Sequence, residues 1–199
     1  MAILNSIRRD DKHKSEEIKE KEFYETPILA VKILEQHLKE QSQLILNNTI
    51  LDPCCGKEAI SKVFEDLKYN VTKFDKFPYS TRIEEKDFLT TSFDRKWDIT
   101  VMNPPYTSKK EFIDKALIVT NNVYVFLPLQ VTNYIDFTSD YEDTSFYHGK
   151  IVIYPKMILT NSQNYKQGGM TAYAWFHFST KEQGPKKYEY FYDMRKFKC

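Results

Sequence analysis

Trp97-Asp98-Ile99-Thr100-Val101-Met102-Asn103-Pro104-Pro105-Tyr106 is the stretch whose reading decides the fold. It opens as an apolar, partly β-branched run of strand type and stops at two prolines. Proline has no N–H to give to a sheet ladder, so the strand ends at Asn103. The residue before a proline is pushed into extended geometry. Asn103 is therefore held at a strand tip, followed by a stiff Pro-Pro turn and an aromatic ring. In an open α/β sheet, strand tips on the carboxyl edge are where ligands bind. Two readings of the tip stand side by side. In one it is only a turn. In the other it grips an exocyclic amino group: the Asn103 side-chain carbonyl and the Pro104 backbone carbonyl accept its two hydrogens, and Tyr106 stacks on the flat ring that carries it.

Working outward, Thr49-Ile50-Leu51-Asp52-Pro53-Cys54-Cys55-Gly56 reads as a short buried strand broken by Asp-Pro. Ile60, Val63, Phe64 and Leu67 behind it repeat at helical spacing. Strand, glycine turn and helix make a βα unit whose loop offers backbone amides and a helix N-terminus to a ligand. Val71 to Phe74 gives a second strand ending at Asp75, 19 residues past Gly56. A nucleotide-binding βαβ unit places the acid that takes ribose hydroxyls at about that distance. Upstream, Thr26 is placed to cap, and Pro27 to open, a helix running to about Gln41 on Leu29, Val31, Ile33, Leu34 and Leu38.

Downstream, Ser108-Lys109-Lys110-Glu111 has the pattern of a capping box, followed by Phe112, Ile113, Ala116 and Leu117 on one helical face. Val123 to Leu127 is a continuous apolar run, as expected of a strand covered on both faces. Leu129 to Gly149 is irregular and acidic, and suits a short helix plus a loop. Ile151 to Tyr154 and Met170 to Phe178 are strands, with a polar loop over 161–169. His177 is expected as a packed or edge histidine, because no second ligand type accompanies it. Alternating helices and strands imply a mostly parallel α/β sheet with helices on both faces, and the final strand pair, joined without a helix, adds an antiparallel edge.

These pieces together resemble the S-adenosylmethionine-dependent amino-methyltransferases, above all the small phage-type DNA adenine-N6 enzymes. The resemblance runs from about Phe23 to Phe178 and rests on Asn-Pro-Pro-Tyr, Asp-Pro-Cys-Cys-Gly and the Met170–Phe178 strand, in that family's order. It implies a class I methyltransferase, Rossmann-like fold. It implies S-adenosylmethionine as cofactor, held by Tyr24, Thr26, Asp52, Pro53, Cys54, Gly56, Asp75, Asp87 and Phe88. It implies Asn103, Pro104, Pro105 and Tyr106 as the catalytic tip, and a flipped-out adenine in DNA as substrate. One position departs from the pattern. The family has Gly-x-Gly in the first cofactor motif, and here the second glycine is Glu58. Either Glu58 lies outside in the first helical turn, where a carboxylate suits the helix dipole, or cofactor binding is weakened. The rival readings are a methyltransferase for RNA or for a protein glutamine amide, and an inactive fold serving as a binding subunit.

Length and composition suit one globular domain, and cysteine usage is expected of a reduced, cytoplasmic protein. The 199 residues are 41% hydrophobic and 29% charged, with net charge +1, so the whole chain is no polycation. Residues 150–199 carry nine basic and three acidic side chains, which permits a basic face. Three cysteines, two of them adjacent, suggest neither a disulfide framework nor zinc. No apolar run reaches membrane-span length. Residues 1–22 are expected as a charged tail or solvated helix, 23–180 as the methyltransferase domain, and 181–199 as a basic, aromatic tail.

Overall fold

The computed structural model describes residues 24–133, 146–159, 165–167, 170–180 and 187–197. The expected 1–22 tail and most of the irregular 129–149 segment lie outside these residues. Helices α1 (Ile28–Glu40), α2 (Ala59–Asp66) and α3 (Lys109–Val119) alternate with strands β1 (Thr49–Asp52), β2 (Asn70–Asp75), β3 (Glu84–Glu85), β4 (Trp97–Met102) and β5 (Thr120–Pro128). Then come β6 (Tyr147–Tyr154), the short pair β7 (Met157–Leu159) and β8 (Tyr165–Gln167), β9 (Tyr173–Ser179) and β10 (Tyr188–Asp193).

Eight strands form one sheet in the order β10-β6-β9-β5-β4-β1-β2-β3. All neighbours are parallel except the two pairs made by β9, which runs antiparallel between β5 and β6. The chain builds β1, β2 and β3 outward in one direction, then returns to lay β4 against the other side of β1. The carboxyl ends of β1 and β4 therefore flank the point where strand order reverses, which is where open α/β sheets bind ligands.

Period-two alternation sorts the apolar residues onto two faces. Ile50, Ile99, Val101, Tyr124, Phe126, Ile151 and Trp175 meet α1 and α2 through Val31, Leu34, Ile60 and Phe64. Leu51, Met102, Val123, Val125, Leu127, Val152 and Phe176 meet α3 through Phe112, Ile113 and Ala116. Helices thus cover both faces, as expected, and the central strands are buried throughout.

Three local expectations are corrected. Pro27, not Thr26, occupies the cap position of α1, and no side chain caps that end; the Thr26 hydroxyl is used elsewhere. Ser108 makes no side-chain cap on α3. Instead Tyr106–Ser108 form a 3-10 turn, with the Ser108 N–H donating to the Pro105 carbonyl at 3.1 Å. The expected C-terminal tail supplies β10, which adds to the sheet in parallel with β6. Tyr188 and Tyr192 pack on the α1-side core, and Gly149 permits the approach: a Cβ there would collide with the Tyr188 backbone. A sequence rich in lysine around a Tyr-Glu-Tyr-Phe-Tyr alternation hides an edge strand, half of whose side chains face solvent. His177 is packed as expected, buried and stacked on Tyr124 at 4.4 Å between centroids. Burial pushes its pKa down to about 3, with His148 and His37 adding to the effect. No helix among the described residues is long and apolar enough to cross a membrane.

Candidate active site

A cleft of about 290 Å³ opens at the carboxyl edge over β1, β2 and β4. The turn after β1 contributes Pro53, Cys54 and Gly56, β2 contributes Asp75, and the segment after β3 contributes Asp87 and Phe88. Asn103 and Pro105 follow from β4, and Tyr24 and Thr26 enter from the segment before α1. Ten of the thirteen residues singled out in the sequence share this one lining. Asp52, Pro104 and Tyr106 do not.

Asn103 is tied down by its donors. Its side-chain Nδ2 donates to the Tyr24 backbone carbonyl at 2.8 Å and to the Thr26 hydroxyl at 3.1 Å. Both amide hydrogens are then spent, and Oδ1 accepts nothing from the described residues. What remains for a ligand in the cleft is a fixed carbonyl acceptor. The Asn103 backbone N–H reaches the Cys54 thiol, which links this tip to the turn after β1. Pro104 is buried behind it.

Tyr106 sits deeper than a cleft-lining ring. It packs against the cores on both faces of the sheet. Its hydroxyl is directed at that of Tyr173 on β9, and burial pushes the phenol up. The Tyr24 ring lies parallel to it, 6.0 Å away and tilted by 9°.

On the other side of the cleft, Gly56 has φ of 51°, the left-handed region that favours glycine. Its N–H donates to Asp75 Oδ2 at 2.8 Å, and the Phe77 N–H donates to Asp75 Oδ1 at 2.8 Å. Asp75 therefore fixes the glycine turn while still lining the cleft. Glu58 has a left-handed backbone, with φ of 68°, a conformation that glycine adopts freely. Its carboxylate faces Lys73 at 3.6 Å, and Lys73 also pairs with Glu65 at 2.7 Å. Glu58 is absent from the cleft lining. The departure in the motif is thus absorbed as local backbone strain, of about 1–2 kcal/mol, with the side chain aimed away from the site.

Asp52 lies beneath the turn and is fully buried. Its Oδ2 accepts from the Ser61 N–H at 3.1 Å, at the start of α2. Burial first, and the charge of Asp75 second, push its carboxyl up to about 8. It braces the turn from behind rather than facing the cleft. The Cys54 and Cys55 thiols are likewise pushed up by burial and stay protonated.

Asp87 receives the Leu89 N–H at 2.9 Å and pairs with Lys76 at 2.9 Å. Burial alone would raise this carboxyl, but Lys76 and the Leu89 and Thr90 amides hold it below the usual carboxylate range. Phe88 is buried against Phe74 and Phe112. Sequence reasoning missed Lys76, Phe77 and Tyr79, which form a further stretch of the lining. The available signal was position alone: they directly follow the acid at the end of β2.

No family model matches the chain, and no curated protein matches it. Solved structures do. A candidate class I S-adenosylmethionine-dependent methyltransferase from Listeria monocytogenes superposes with a TM-score of 0.61 at 15% identity, over 85% of this chain and 65% of that one. The chain has the class I methyltransferase fold. A candidate RNA methyltransferase from Pyrococcus horikoshii gives a TM-score of 0.58 at 18% identity, over 78% of this chain and 86% of that one. The modification subunit of a candidate type I restriction enzyme from Vibrio vulnificus gives 0.50 at 13% identity, over 94% of this chain but 54% of the subunit. The chain thus spans under two thirds of the Listeria and Vibrio proteins.

Proposed function

We propose that the protein transfers a methyl group from S-adenosylmethionine to the exocyclic N6 amino group of adenine in DNA. The observation that carries this is the state of Asn103: a carboxamide with both hydrogens tied to Tyr24 and Thr26, and its carbonyl left at a cleft shared with the glycine turn. An aryl amine needs acceptors, and this tip offers one without reorganisation. The fold neighbours include both a candidate RNA methyltransferase and a restriction-modification subunit. The choice of DNA adenine rests on the Asn-Pro-Pro-Tyr and Asp-Pro-Cys-Cys-Gly motifs.

The cleft fits the cofactor by its own features. Gly56 in left-handed geometry exposes backbone at the turn, and Asp75 stands at the end of β2 where ribose hydroxyls are taken. Thr26, Pro53, Cys54, Gly56, Asp75, Asp87 and Phe88 would hold it, with Asp52 bracing the turn. When bound, S-adenosylmethionine supplies an electrophilic sulfonium methyl. The protein's own residues do the rest. The lone pair of an aryl amine is delocalised into its ring, and accepting an N–H hydrogen at Asn103 Oδ1 favours the pyramidal nitrogen that frees it; the Pro104 carbonyl, expected as a second acceptor, belongs to a residue buried outside the cleft lining. Preorganised acceptors of this kind act where charge develops and cost no rearrangement. Holding nucleophile and methyl donor in line supplies a further large share of the rate. The amino proton leaves to solvent after methyl transfer, so no general base is required. A base in duplex must first leave the stack, at a cost of a few kcal/mol.

The test offers tritiated-methyl S-adenosylmethionine with pools of DNA, RNA and glutamine-containing peptide. Label in DNA, mapped by nucleoside analysis to N6-methyladenine, is the expected result. Label in another pool with DNA blank overturns the reading.

A further inference from the structure

We infer that Lys115, which does not line the cleft, is a positioning residue for the cofactor: its ammonium holds the 87–91 turn from outside, and so sets how Asp87 and Phe88 meet S-adenosylmethionine. That role rests on the cofactor reading above.

The segment after β3 is the least supported part of the lining. Strand β3 has two residues and stands at the edge of the sheet. Local bonds give the turn its shape. The Leu89 N–H donates to Asp87 Oδ1 at 2.9 Å, and the Thr91 N–H and hydroxyl both donate to the Asp87 carbonyl, at 3.0 and 2.7 Å. These bonds close the turn on itself and do not anchor it to the body of the protein. Phe88 anchors one side chain, against Phe74 and Phe112. Lys76 pairs with Asp87 at 2.9 Å, but that lysine is 59% exposed, and an ion pair so open to water contributes little. Lys115, on α3, holds the main chain instead. Its Nζ donates to the Leu89 carbonyl at 2.9 Å and to the Thr91 carbonyl at 2.6 Å. The same ammonium lies 5.6 Å from the centre of the Phe88 ring and 5.7 Å from that of Phe93. Hydrogen bonds from a charged donor are the strong kind, and a cation over an aromatic face adds to them. Phe112 stands one turn earlier on the same face of α3 and itself lines the cleft. This helix follows directly on the β4 tip. Lys115 therefore ties the turn beyond β3 to the helix that issues from Asn103, and keeps the two sides of the cleft in fixed relation.

The experiment titrates S-adenosylmethionine calorimetrically into wild type, Lys115→Met and Lys115→Arg, and follows amide hydrogen exchange in each. Methionine keeps the length and the apolar stem and removes the donor. Loss of two charge-donated bonds predicts that Lys115→Met binds the cofactor about tenfold or more weakly, with faster exchange at 87–91 and unchanged exchange in the central strands. Arginine carries a cation and enough donors for both carbonyls, so Lys115→Arg recovers most of the loss. A residue serving stability alone would lower the melting temperature of Lys115→Met and leave the affinity of the folded protein where it was; that result overturns the role. So does an arginine variant as weak as the methionine one, which assigns the loss to packing. Wild type that takes up no S-adenosylmethionine overturns the cofactor reading and the role with it, whereas wild-type binding matched by Lys115→Met removes the role alone.

Discussion

The turn after β1 and the tip after β4 are neighbours on one sheet edge, yet they are built on opposite principles. In the first, side chains serve the backbone: Asp75 takes the Gly56 and Phe77 amides, and Asp52 takes the Ser61 amide from below. In the second, backbone serves a side chain: the Tyr24 carbonyl, with the Thr26 hydroxyl, fixes Asn103. A ligand meets mostly a shaped main chain at the turn and one oriented functional group at the tip. Binding energy should therefore be spread over many atoms of the turn, whereas chemistry should concentrate in one residue of the tip.

The sharpest way to break that contrast is Asn103→Ala. Loss of a preorganised acceptor at a reacting centre costs roughly 10²–10³-fold in kcat. Cofactor affinity, measured by titration calorimetry, should change by less than about threefold. A large loss of affinity with little change in kcat would move Asn103 to the cofactor side and erase the distinction.

Asp52 probes the turn. Its carboxyl is raised to about 8 in the folded protein from the ordinary 3.8, so the native state holds a proton that the unfolded chain releases. Stability from this group is full below about pH 4 and is lost as pH rises towards 8. Urea unfolding at pH 5 and pH 8.5 should show wild type losing at least about 1 kcal/mol more than Asp52→Asn over that interval. Equal losses would mean that the acid is not held neutral under the turn.

How much of this was legible follows the same division. Strand tips announce themselves through residues that cannot continue a strand, so Asp52-Pro53 and Asn103-Pro104 mark in the sequence the two strand ends that flank the cleft. Buried parallel strands read as apolar runs, which fixed Val123–Leu127. Hydrogen bonds that span long loops leave no local trace. Thr26 looked like a helix cap because its spacing to Pro27 is a cap's, but its hydroxyl is taken by Asn103, 77 positions away. Strand β10 failed for another reason: an edge strand with one wet face has the composition of a tail, and only the glycine at 149 on its partner marks the close approach.

Glu58→Gly tests whether the turn works through main chain alone. Glycine relieves a left-handed residue at φ of 68°, worth about 1 kcal/mol, and forfeits a partly buried pair with Lys73, which keeps Glu65. A net gain of about 0.5 kcal/mol in unfolding free energy is expected. Cofactor affinity should not move, because the carboxylate does not line the cleft. A tenfold rise in affinity would show that the side chain, not only the backbone it imposes, reaches the ligand.

The mildest loss of turnover sharpens the tip. Thr26→Val keeps the shape of the residue and deletes the hydroxyl that accepts from Asn103 at 3.1 Å. The shorter bond to the Tyr24 carbonyl remains, so the carboxamide keeps its facing but gains freedom to rock. One neutral hydrogen bond is worth about 0.5–1.5 kcal/mol, which puts the fall in kcat at about two- to tenfold. Asn103→Ala and Thr26→Val combined should be no worse than Asn103→Ala alone, because the hydroxyl acts only through the side chain that has gone. An additive double variant would show the Thr26 hydroxyl acting on kcat by itself, beyond its place beside the cofactor, and would make the tip a place of shared contacts like the turn.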